Sequence, residues 1–238
     1  MYLPLHLFRE TRLLRVVGAF AVAVAFSSCA VVKDVQAKNE RRAEEKRLAS
    51  VREATIAEHS TFRATSGWKS KIYRQPDLMA RATAENSSIE IALAEQRGLL
   101  IVDGGIAMDF PVATGKRSHP TPAGSYTIMG KQKDYGSNLY GKIVDATGTV
   151  LVADADTRTD VVPEGGSFVP AKMPYWMRLT NTGVGLHVGY IPGHAASHGC
   201  IRLKREVAVK LFDIVKIGTP VVIAVKAPSL SQLSKSES

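Results

Sequence analysis

Cysteine is scarce in this chain, and its scarcity limits what the protein can be. The 238 residues include two cysteines, Cys29 and Cys200. If Cys29 is lipidated or removed with an N-terminal leader, Cys200 is the one thiol left, which excludes a disulfide within one mature chain. An unpaired thiol is a liability in an oxidising compartment. Its presence there is best understood if Cys200 acts as a nucleophile.

Long apolar runs are also lacking. The apolar segment Val16–Phe26 follows three arginines in residues 9–15, the layout of a secretory signal. It reaches the ~20 residues of a membrane span only if residues 29–32 are included. Phe26-Ser27-Ser28-Cys29 resembles a bacterial lipoprotein cleavage site with phenylalanine in place of an aliphatic residue. Residues 1–29 are therefore expected to be a cleaved signal, a leader lipidated at Cys29, or an anchor. Each alternative places the domain in the cell envelope or periplasm, and the last two attach it to a membrane.

The excess of positive charge is not spread over the chain. Lysine and arginine exceed aspartate and glutamate by nine, 31 against 22, yet residues 87–238 hold 16 basic and 13 acidic side chains. Most of the excess lies in the first 86 residues. This distribution does not fit a nucleic-acid-binding surface, and we expect no nucleic acid partner.

The segments flanking the main domain differ in composition. Residues 30–60 lack a wide apolar stripe and carry opposite charges at helical spacing, as in Arg41 with Glu45 and Glu44 with Arg47, which predicts a solvated helical stalk. Residues 61–87 contain enough apolar side chains to pack against the domain. The Ser- and Lys-rich residues 228–238 are expected to be a disordered tail.

Strand patterns dominate residues 88–227. Alternating or apolar segments bounded by turn residues predict strands at 88–94, 99–102, 106–112, 125–129, 142–144, 149–152, 175–180, 184–188 and 220–225. One helix is predicted at Lys204–Ile217, because Val207, Leu211 and Val215 share a face. The predicted fold is mainly β, a β-sandwich or partly closed barrel with one or two short helices.

Two short segments around Cys200 carry the residues of thiol chemistry. They are Gly185-Leu186-His187-Val188-Gly189 and Ser197-His198-Gly199-Cys200-Ile201-Arg202. To attack a carbonyl carbon, a thiol needs a base or a positive neighbour that lowers its pKa. It also needs an amide-lined pocket for the oxyanion that the attack creates. His187, on a predicted strand, can be the base. Gly199 allows backbone angles at which its own amide and that of Cys200 point to one spot.

These segments resemble the L,D-transpeptidase catalytic domain family (YkuD-like), whose signature is a histidine, a loop and Ser/Thr-His-Gly-Cys. The resemblance extends over about residues 88–227 and includes four further motifs in the right order. These are Ala113-Thr114-Gly115-Lys116, Thr121-Pro122-Ala123-Gly124-Ser125-Tyr126, Met173-Pro174-Tyr175-Trp176-Met177-Arg178-Leu179 and Gly218-Thr219-Pro220-Val221-Val222-Ile223.

The resemblance implies roles for individual residues. Cys200 would be the nucleophile and His187 the general base, with the backbone carbonyl of Val188 orienting the second imidazole nitrogen. Ser197 and His198 would line the pocket and position substrate, and the Gly199 and Cys200 amides would stabilise the tetrahedral intermediate. Arg202 would either bind a substrate carboxylate or brace the loop.

The resemblance also implies a reaction. Cys200 would form an acyl-enzyme from a peptidoglycan tetrapeptide stem with release of D-alanine. The acyl group would then pass to an amine of another stem, of an envelope lipoprotein or of a D-amino acid. Transfer to water would make the protein an L,D-carboxypeptidase. Carbapenems would be inhibitors, and no cofactor is implied.

Several weaker hypotheses stay open. Tyr175 and Trp176 are candidates for a substrate groove, although aromatic residues on strands more often belong to the core. His194 is a candidate for substrate contact from the loop between His187 and Ser197. His187, His194, His198 and Cys200 are also zinc-ligand types, although their spacing suits an oxyanion turn better than a metal site. A cell-wall-binding module without activity is another alternative.

A calcium site is not expected at Asp154, Asp156 and Asp160, because the glycine and glutamate of a calcium loop are lacking. A polar loop is predicted there instead.

Overall fold

The computed structural model describes residues 11–226, with side chains from residue 32 onward. The chain divides into two units, Met1–Ser50 and Val51–Ser238. The predictions for the leader, for lipidation at Cys29 and for the tail at 228–238 fall outside the residues whose side chains are described. The boundaries assigned to 1–29, 30–60, 61–87 and 88–227 stay predictions.

Helix α1 covers Thr11–Ala64. In the first unit the described side chains are almost all exposed, as expected for a segment without an apolar stripe. The predicted pair of Glu44 with Arg47 is present, with a carboxylate oxygen 2.6 Å from the guanidinium. Among the residues described, no helix is both long and apolar enough to cross a membrane.

The second unit is mainly β. Its helices after α1 are a 3-10 turn at Trp68–Ser70, α2 (Pro76–Arg81) and α3 (Arg205–Ile214). Its strands are β1 (Tyr73–Arg74), β2 (Ser87–Ala92), β3 (Arg97–Val102), β4 (Gly105–Ala113), β5 (Gly124–Thr127), β6 (Gly130–Gln132), β7 (Gly136–Val144), β8 (Val150–Asp156), β9 (Ser167–Lys172), β10 (Trp176–Arg178), β11 (Gly185–Val188), β12 (Ile201–Leu203) and β13 (Pro220–Ala224).

Two sheets contain all these strands. The large sheet has the order β5, β13, β2, β3, β4, β12, β11, β10, β6, with β1 also paired to β4, and the small sheet has the order β8, β7, β9. The large sheet curls into a half barrel. The predicted fold class, mainly β with a partly closed sheet and few helices, is confirmed.

The core lies against the large sheet. Every residue of β3 and β4 is buried, and the predicted apolar face of α3 packs on this core, with Val207 and Leu211 fully buried and Val215 2% exposed. The helix ends at Ile214, so the predicted end at Ile217 is wrong. Val215 has extended backbone angles, which carry its side chain into the core and direct the chain toward β13.

Four strands were not predicted from the sequence, namely β1, β6, β9 and β12. Strands β1, β6 and β12 have two or three residues and are too short to show an alternating pattern. Strand β9 has six residues, and its pairing with β7 holds it in place. The polar loop predicted around Asp154 and Asp156 is also wrong, because β8 runs to Asp156. Its pairing with β7 supplies the hydrogen bonds that the local sequence does not indicate.

Candidate active site

Cys200 lies at the entry to β12, in the middle of the large sheet. Strand β12 pairs in parallel with β11, with Arg202 opposite His187, and antiparallel with β4 on its other side. Cys200 precedes Arg202 by two residues, so the two side chains share a face of the strand. This register brings Cys200 and His187 to the same side of the sheet, although the loop between β11 and β12 separates them in sequence.

The two side chains line one cavity of about 380 Å³. Predicted site residues that line it are His187, Val188, Ser197, His198, Cys200 and Arg202. The same wall includes Gly189 and Tyr190 beyond β11, and Met173 at the end of β9. The structure therefore brings together most of the residues singled out from the sequence.

The imidazole of His187 is held by its neighbour. Its Nδ1–H donates to the Val188 carbonyl oxygen at 2.8 Å, the contact that the resemblance implied. The ring is 6% exposed, and this burial lowers its pKa to about 4, with the nearby charge of Arg202 acting in the same direction and the hydrogen bond to Val188 opposing it. His187 is consequently neutral near pH 7, with Nε2 unprotonated and able to accept a proton.

The Cys200 thiol is also uncharged at rest. Burial raises its pKa, and this outweighs the lowering by a hydrogen bond from the Gly185 amide and by the charge of Arg202. The S–H donates to the Gly183 carbonyl oxygen, with sulfur and oxygen 3.4 Å apart. The sequence-based expectation of a thiol with a lowered pKa is therefore wrong for this state of the site, because the cavity disfavours both charged partners.

Hydrogen bonds fix the turn before Cys200. Gly199 has φ +111°, a conformation that side chains of other residues disfavour, as predicted for this position. Ser197 Oγ donates to the Cys200 carbonyl oxygen at 2.5 Å, and Thr121 Oγ1 donates to the Gly199 carbonyl oxygen at 2.8 Å. The Gly199 amide itself donates to Ser197 Oγ at 3.1 Å. This amide is engaged within the turn, which corrects the expectation that it points into the pocket together with the amide of Cys200.

Two aromatic rings hold the His198 ring near Cys200. The Tyr140 ring stacks on it with centroids 4.5 Å apart, and the His119 ring meets it edge-on at 4.8 Å. Lys116 Nζ lies 3.0 Å from His198 Nε2, and Asp154 Oδ2 lies 3.3 Å from the same nitrogen. His198 is thus anchored from several elements, and it lines the cavity as predicted.

Arg202 brings a positive charge to the cavity. Its aliphatic stem lies so close to Gly189 that a Cβ there would be 2.8 Å from Arg202 Cγ. Its charge lowers the pKa of His187 and opposes the rise in the pKa of Cys200. The two roles predicted for Arg202, binding a carboxylate and bracing the loop, are both compatible with this position.

A comparison with known protein families agrees with the geometry of the site. The model of the YkuD family, described as the L,D-transpeptidase catalytic domain, matches residues 86–223. The chain belongs to this family. The match contains β2 through most of β13, and with them every residue that lines the cavity.

Individual relatives are more distant. The chain is 30% identical over 118 residues to probable L,D-transpeptidase 3 of Mycobacterium tuberculosis, covering 48% of this chain and 37% of that protein. It is 31% identical over 129 residues to L,D-transpeptidase 1 of the same species, covering 51% and 43%. It thus spans less than half the length of these curated relatives. A solved L,D-transpeptidase from Mycobacterium smegmatis is 21% identical, with 58% of each chain covered and a TM-score of 0.45.

In this L,D-transpeptidase domain the weaker candidates are not among the residues that line the cavity. The Tyr175 ring packs edge-on against Phe212 of α3 at 5.4 Å, and both side chains pack against the main core. Trp176 is 5% exposed and packs with Cys200 and Met173, so it belongs to a buried cluster next to Cys200. His194 is exposed and is not among the residues that line the cavity. Neither Tyr175 nor Trp176 is among the residues that line this cavity, and a role in a substrate groove stays a prediction.

Sequence reasoning missed Tyr140 and Asp154, which reach the cavity from the small sheet. Nothing in the sequence indicates where that sheet lies. Lys116 and Thr121 belong to motifs that carry the family resemblance, so their positions, although not their contacts, were visible in the sequence.

For the zinc alternative, the described residues contain no group of three or more His, Cys, Asp or Glu side chains positioned to hold a metal ion.

Proposed function

We propose that this protein is a cysteine acyltransferase that acts on peptidoglycan stem peptides. The observation that carries the proposal is the placement of Cys200 and His187 on one cavity, with His187 Nδ1–H bound to the Val188 carbonyl. That hydrogen bond leaves Nε2 as the proton acceptor. A thiol and a neutral imidazole in one cavity are the parts of a nucleophile and its general base.

The acylation step starts from two uncharged groups. The thiol turns from Gly183 toward His187 and gives its proton to Nε2 as sulfur attacks the carbonyl carbon of the L-centre of a diamino acid in a tetrapeptide stem. The C–S bond forms and the peptide C–N bond breaks. His187 donates the proton to the leaving nitrogen of D-alanine. Proton transfer during the attack avoids a buried ion pair at rest.

Amide groups of the turn stabilise the intermediate. The Cys200 amide is the oxyanion donor that we propose, since the Gly199 amide is engaged with Ser197. Gly199 and Ser197 then act by holding the turn in shape. Arg202 supplies the positive charge that favours a substrate carboxylate at this cavity.

An amine completes the reaction. It attacks the thioester carbonyl, the new C–N bond forms and the C–S bond breaks. His187 takes a proton from the amine and returns it to sulfur, which restores the thiol. The amine of a neighbouring stem gives a cross-link, a lysine of an envelope lipoprotein gives an anchored protein, and a D-amino acid gives an exchanged stem. The reaction takes place in the cell envelope or periplasm, with residues 1–29 as the means of export or membrane attachment.

Intact-mass analysis after incubation with imipenem tests the nucleophile. Attack of the Cys200 thiol on the β-lactam carbonyl breaks the ring C–N bond and adds the whole imipenem mass to the chain. We expect a single adduct in the wild type and none in Cys200→Ala. An unmodified wild type after long exposure would contradict the proposal.

Rate measurements test the base. His187→Ala should lower the rate of imipenem acylation ~100- to 10,000-fold, because proton transfer typically contributes that much. His194→Ala is the matched control, since this histidine is exposed outside the cavity. Its rate is expected to stay within about twofold of the wild type. Equal rates for His187→Ala and the control would exclude His187 as the base.

Digestion of purified peptidoglycan followed by mass spectrometry identifies the acceptor. Loss of D-alanine with a new amide supports transpeptidation. Loss of D-alanine with a free carboxylate indicates the carboxypeptidase reaction. No change in the stems, with binding to peptidoglycan retained, would indicate a wall-binding module instead.

A further inference from the structure

Lys116 meets His198 at the wall of the cavity, and its role is open. Lys116 Nζ lies 3.0 Å from His198 Nε2. A lysine ammonium has only donors, so a hydrogen bond between these two atoms makes Nε2 the acceptor. A neutral imidazole that accepts at Nε2 carries its proton on Nδ1. The contact therefore selects one of the two tautomers of His198.

Asp154, on the small sheet, lies near both of these side chains. Its Oδ2 lies 3.5 Å from Lys116 Nζ and 3.3 Å from His198 Nε2. Lys116 follows β4 of the large sheet, Asp154 is on β8 of the small sheet, and His198 belongs to the turn before Cys200. Three separate parts of the domain thus meet two residues from the nucleophile.

Backbone hydrogen bonds and a close approach at Gly115 hold Lys116 in this position. The Lys116 amide donates to the Ser197 carbonyl at 2.9 Å, and the Ser197 amide donates to the Thr114 carbonyl at 3.0 Å. A Cβ at Gly115 would lie 2.0 Å from the His119 carbonyl oxygen, so only glycine fits this close approach. The loop that carries Lys116 is therefore held directly against the turn that carries His198.

We propose that Lys116 is a positioning residue for the acyl transfer, because it holds His198 as a neutral imidazole with its proton on Nδ1. The proposal rests on the proposed function and adds a member to its site. An exposed ion pair contributes little to stability and would leave the reaction unchanged. The partly buried ring, in contact with Tyr140 and His119 and with Lys116 bound to one nitrogen, presents a fixed hydrogen-bond donor instead.

The charges around His198 make the inference measurable. Burial lowers the pKa of His198, and the charges of Lys116, His119 and Arg202 lower it further, whereas Asp154 raises it. Tyr140 faces the ring without adding a charge. Removing Lys116 should therefore raise the pKa of His198, and removing the charge of Asp154 should lower it.

The test compares full-length variants in which the cationic donor is removed, replaced or left in place. Lys116→Met removes it, Lys116→Arg keeps it, and Lys142→Met, on an exposed position of β7, is the matched control. Imipenem acylation rates are measured from pH 5 to 8, and the pKa of His198 is followed by NMR. Lys116→Gln, which keeps a neutral N–H donor, is used if Lys116→Met does not fold.

We expect acylation at pH 8 to fall at least tenfold in Lys116→Met, and to return to within threefold of the wild type in Lys116→Arg. The His198 pKa should rise in Lys116→Met and fall in Asp154→Asn, and the pH profile of acylation should follow it. The proposal is overturned if Lys116→Met matches Lys142→Met, or if the loss occurs without rescue by arginine and without a changed pH profile. A wild type that forms no adduct at Cys200 would instead overturn the proposed function.

Discussion

Cys200 and His187 lie in surroundings that favour the uncharged form of each side chain. His187 is 6% exposed and Cys200 7% exposed, so burial penalises both the imidazolium and the thiolate. Arg202, which lines the same cavity, is the charged residue that affects the pKa values of both side chains. A neutral resting pair limits oxidation of the thiol, since the thiolate is the reactive form. In the proposed reaction, proton transfer starts only when substrate is bound.

The lowered pKa of His187 predicts a pH dependence of folding stability. The folded pKa, about 4, is below the ordinary value of 6.5, so between these values the unfolded chain binds more protons than the folded one. The free energy of unfolding should therefore be highest above pH 6.5 and fall as the pH drops toward 4, with a His187 contribution of up to about 3 kcal/mol.

Urea denaturation of the wild type and of His187→Gln, at pH 7.5 and at pH 4.5, measures this contribution. Protonation of carboxylates also lowers the stability of the protein in acid, so the difference between the two proteins isolates the contribution of His187. The variant should lose less stability over this interval than the wild type. An equal loss in both proteins would show that His187 is not buried in its neutral form.

At the scale of elements, the last turns of α1 join the sheet through a buried cluster of charges. Asp109 of β4 is fully buried and accepts hydrogen bonds from Arg97 Nε at 2.7 Å, from Arg63 Nε at 3.0 Å and from His59 Nε2 at 2.6 Å. Burial raises the pKa of Asp109, but the hydrogen bond from His59 and the charges of Arg97 and Arg63 outweigh it and lower the pKa overall. The Trp68 ring lies under both guanidinium groups.

Neutralising the centre of this cluster should destabilise the domain strongly. Asp109→Asn keeps the shape of the side chain but leaves the buried Arg97 without its counter-charge, which typically costs roughly 3–5 kcal/mol. The exposed pair of Arg74 with Glu206 gives a control, because Glu206→Gln should cost less than ~1 kcal/mol. Chemical denaturation at pH 7 compares them, and similar losses in both variants would contradict a stabilising role for the cluster.

At the scale of the whole molecule, the two sheets that line the cavity differ in burial. Among the described residues, the main core takes no side chain from β7, β8 or β9. Strands β8 and β9 are largely exposed, with Val150 45% and Leu151 51% exposed, whereas β3 and β4 are buried along their whole length. One wall of the cavity therefore rests on a rigid sheet and the other on a sheet with few apolar contacts.

Hydrogen exchange should reflect this difference. Backbone amides of β7–β9 are expected to exchange at least tenfold faster than those of β2–β4, because local opening costs less where little apolar surface is buried. Exchange measured by mass spectrometry on peptides from the two regions checks this. Equal protection in both sheets would mean that the small sheet unfolds only together with the rest of the domain.

Local patterns in the sequence were enough to single out the main residues of the cavity and to predict much of the fold. Cys200, His187 and the conformation of Gly199 follow from residue types and spacing, and the buried face of α3 follows from its periodicity. These features are local, since they depend on neighbours within one or two turns of chain.

Tertiary structure alone decided how the cavity is completed. Strand β12 exists because β11 and β4 pair with it from both sides, and Asp154 reaches His198 only because the small sheet lies beside the turn before Cys200. Burial, which sets the charge state of Cys200 and His187, also depends on chain segments far apart in sequence. Such long-range packing leaves no periodic pattern, which is why the residue types of the site were evident from the sequence and their protonation and partners were not.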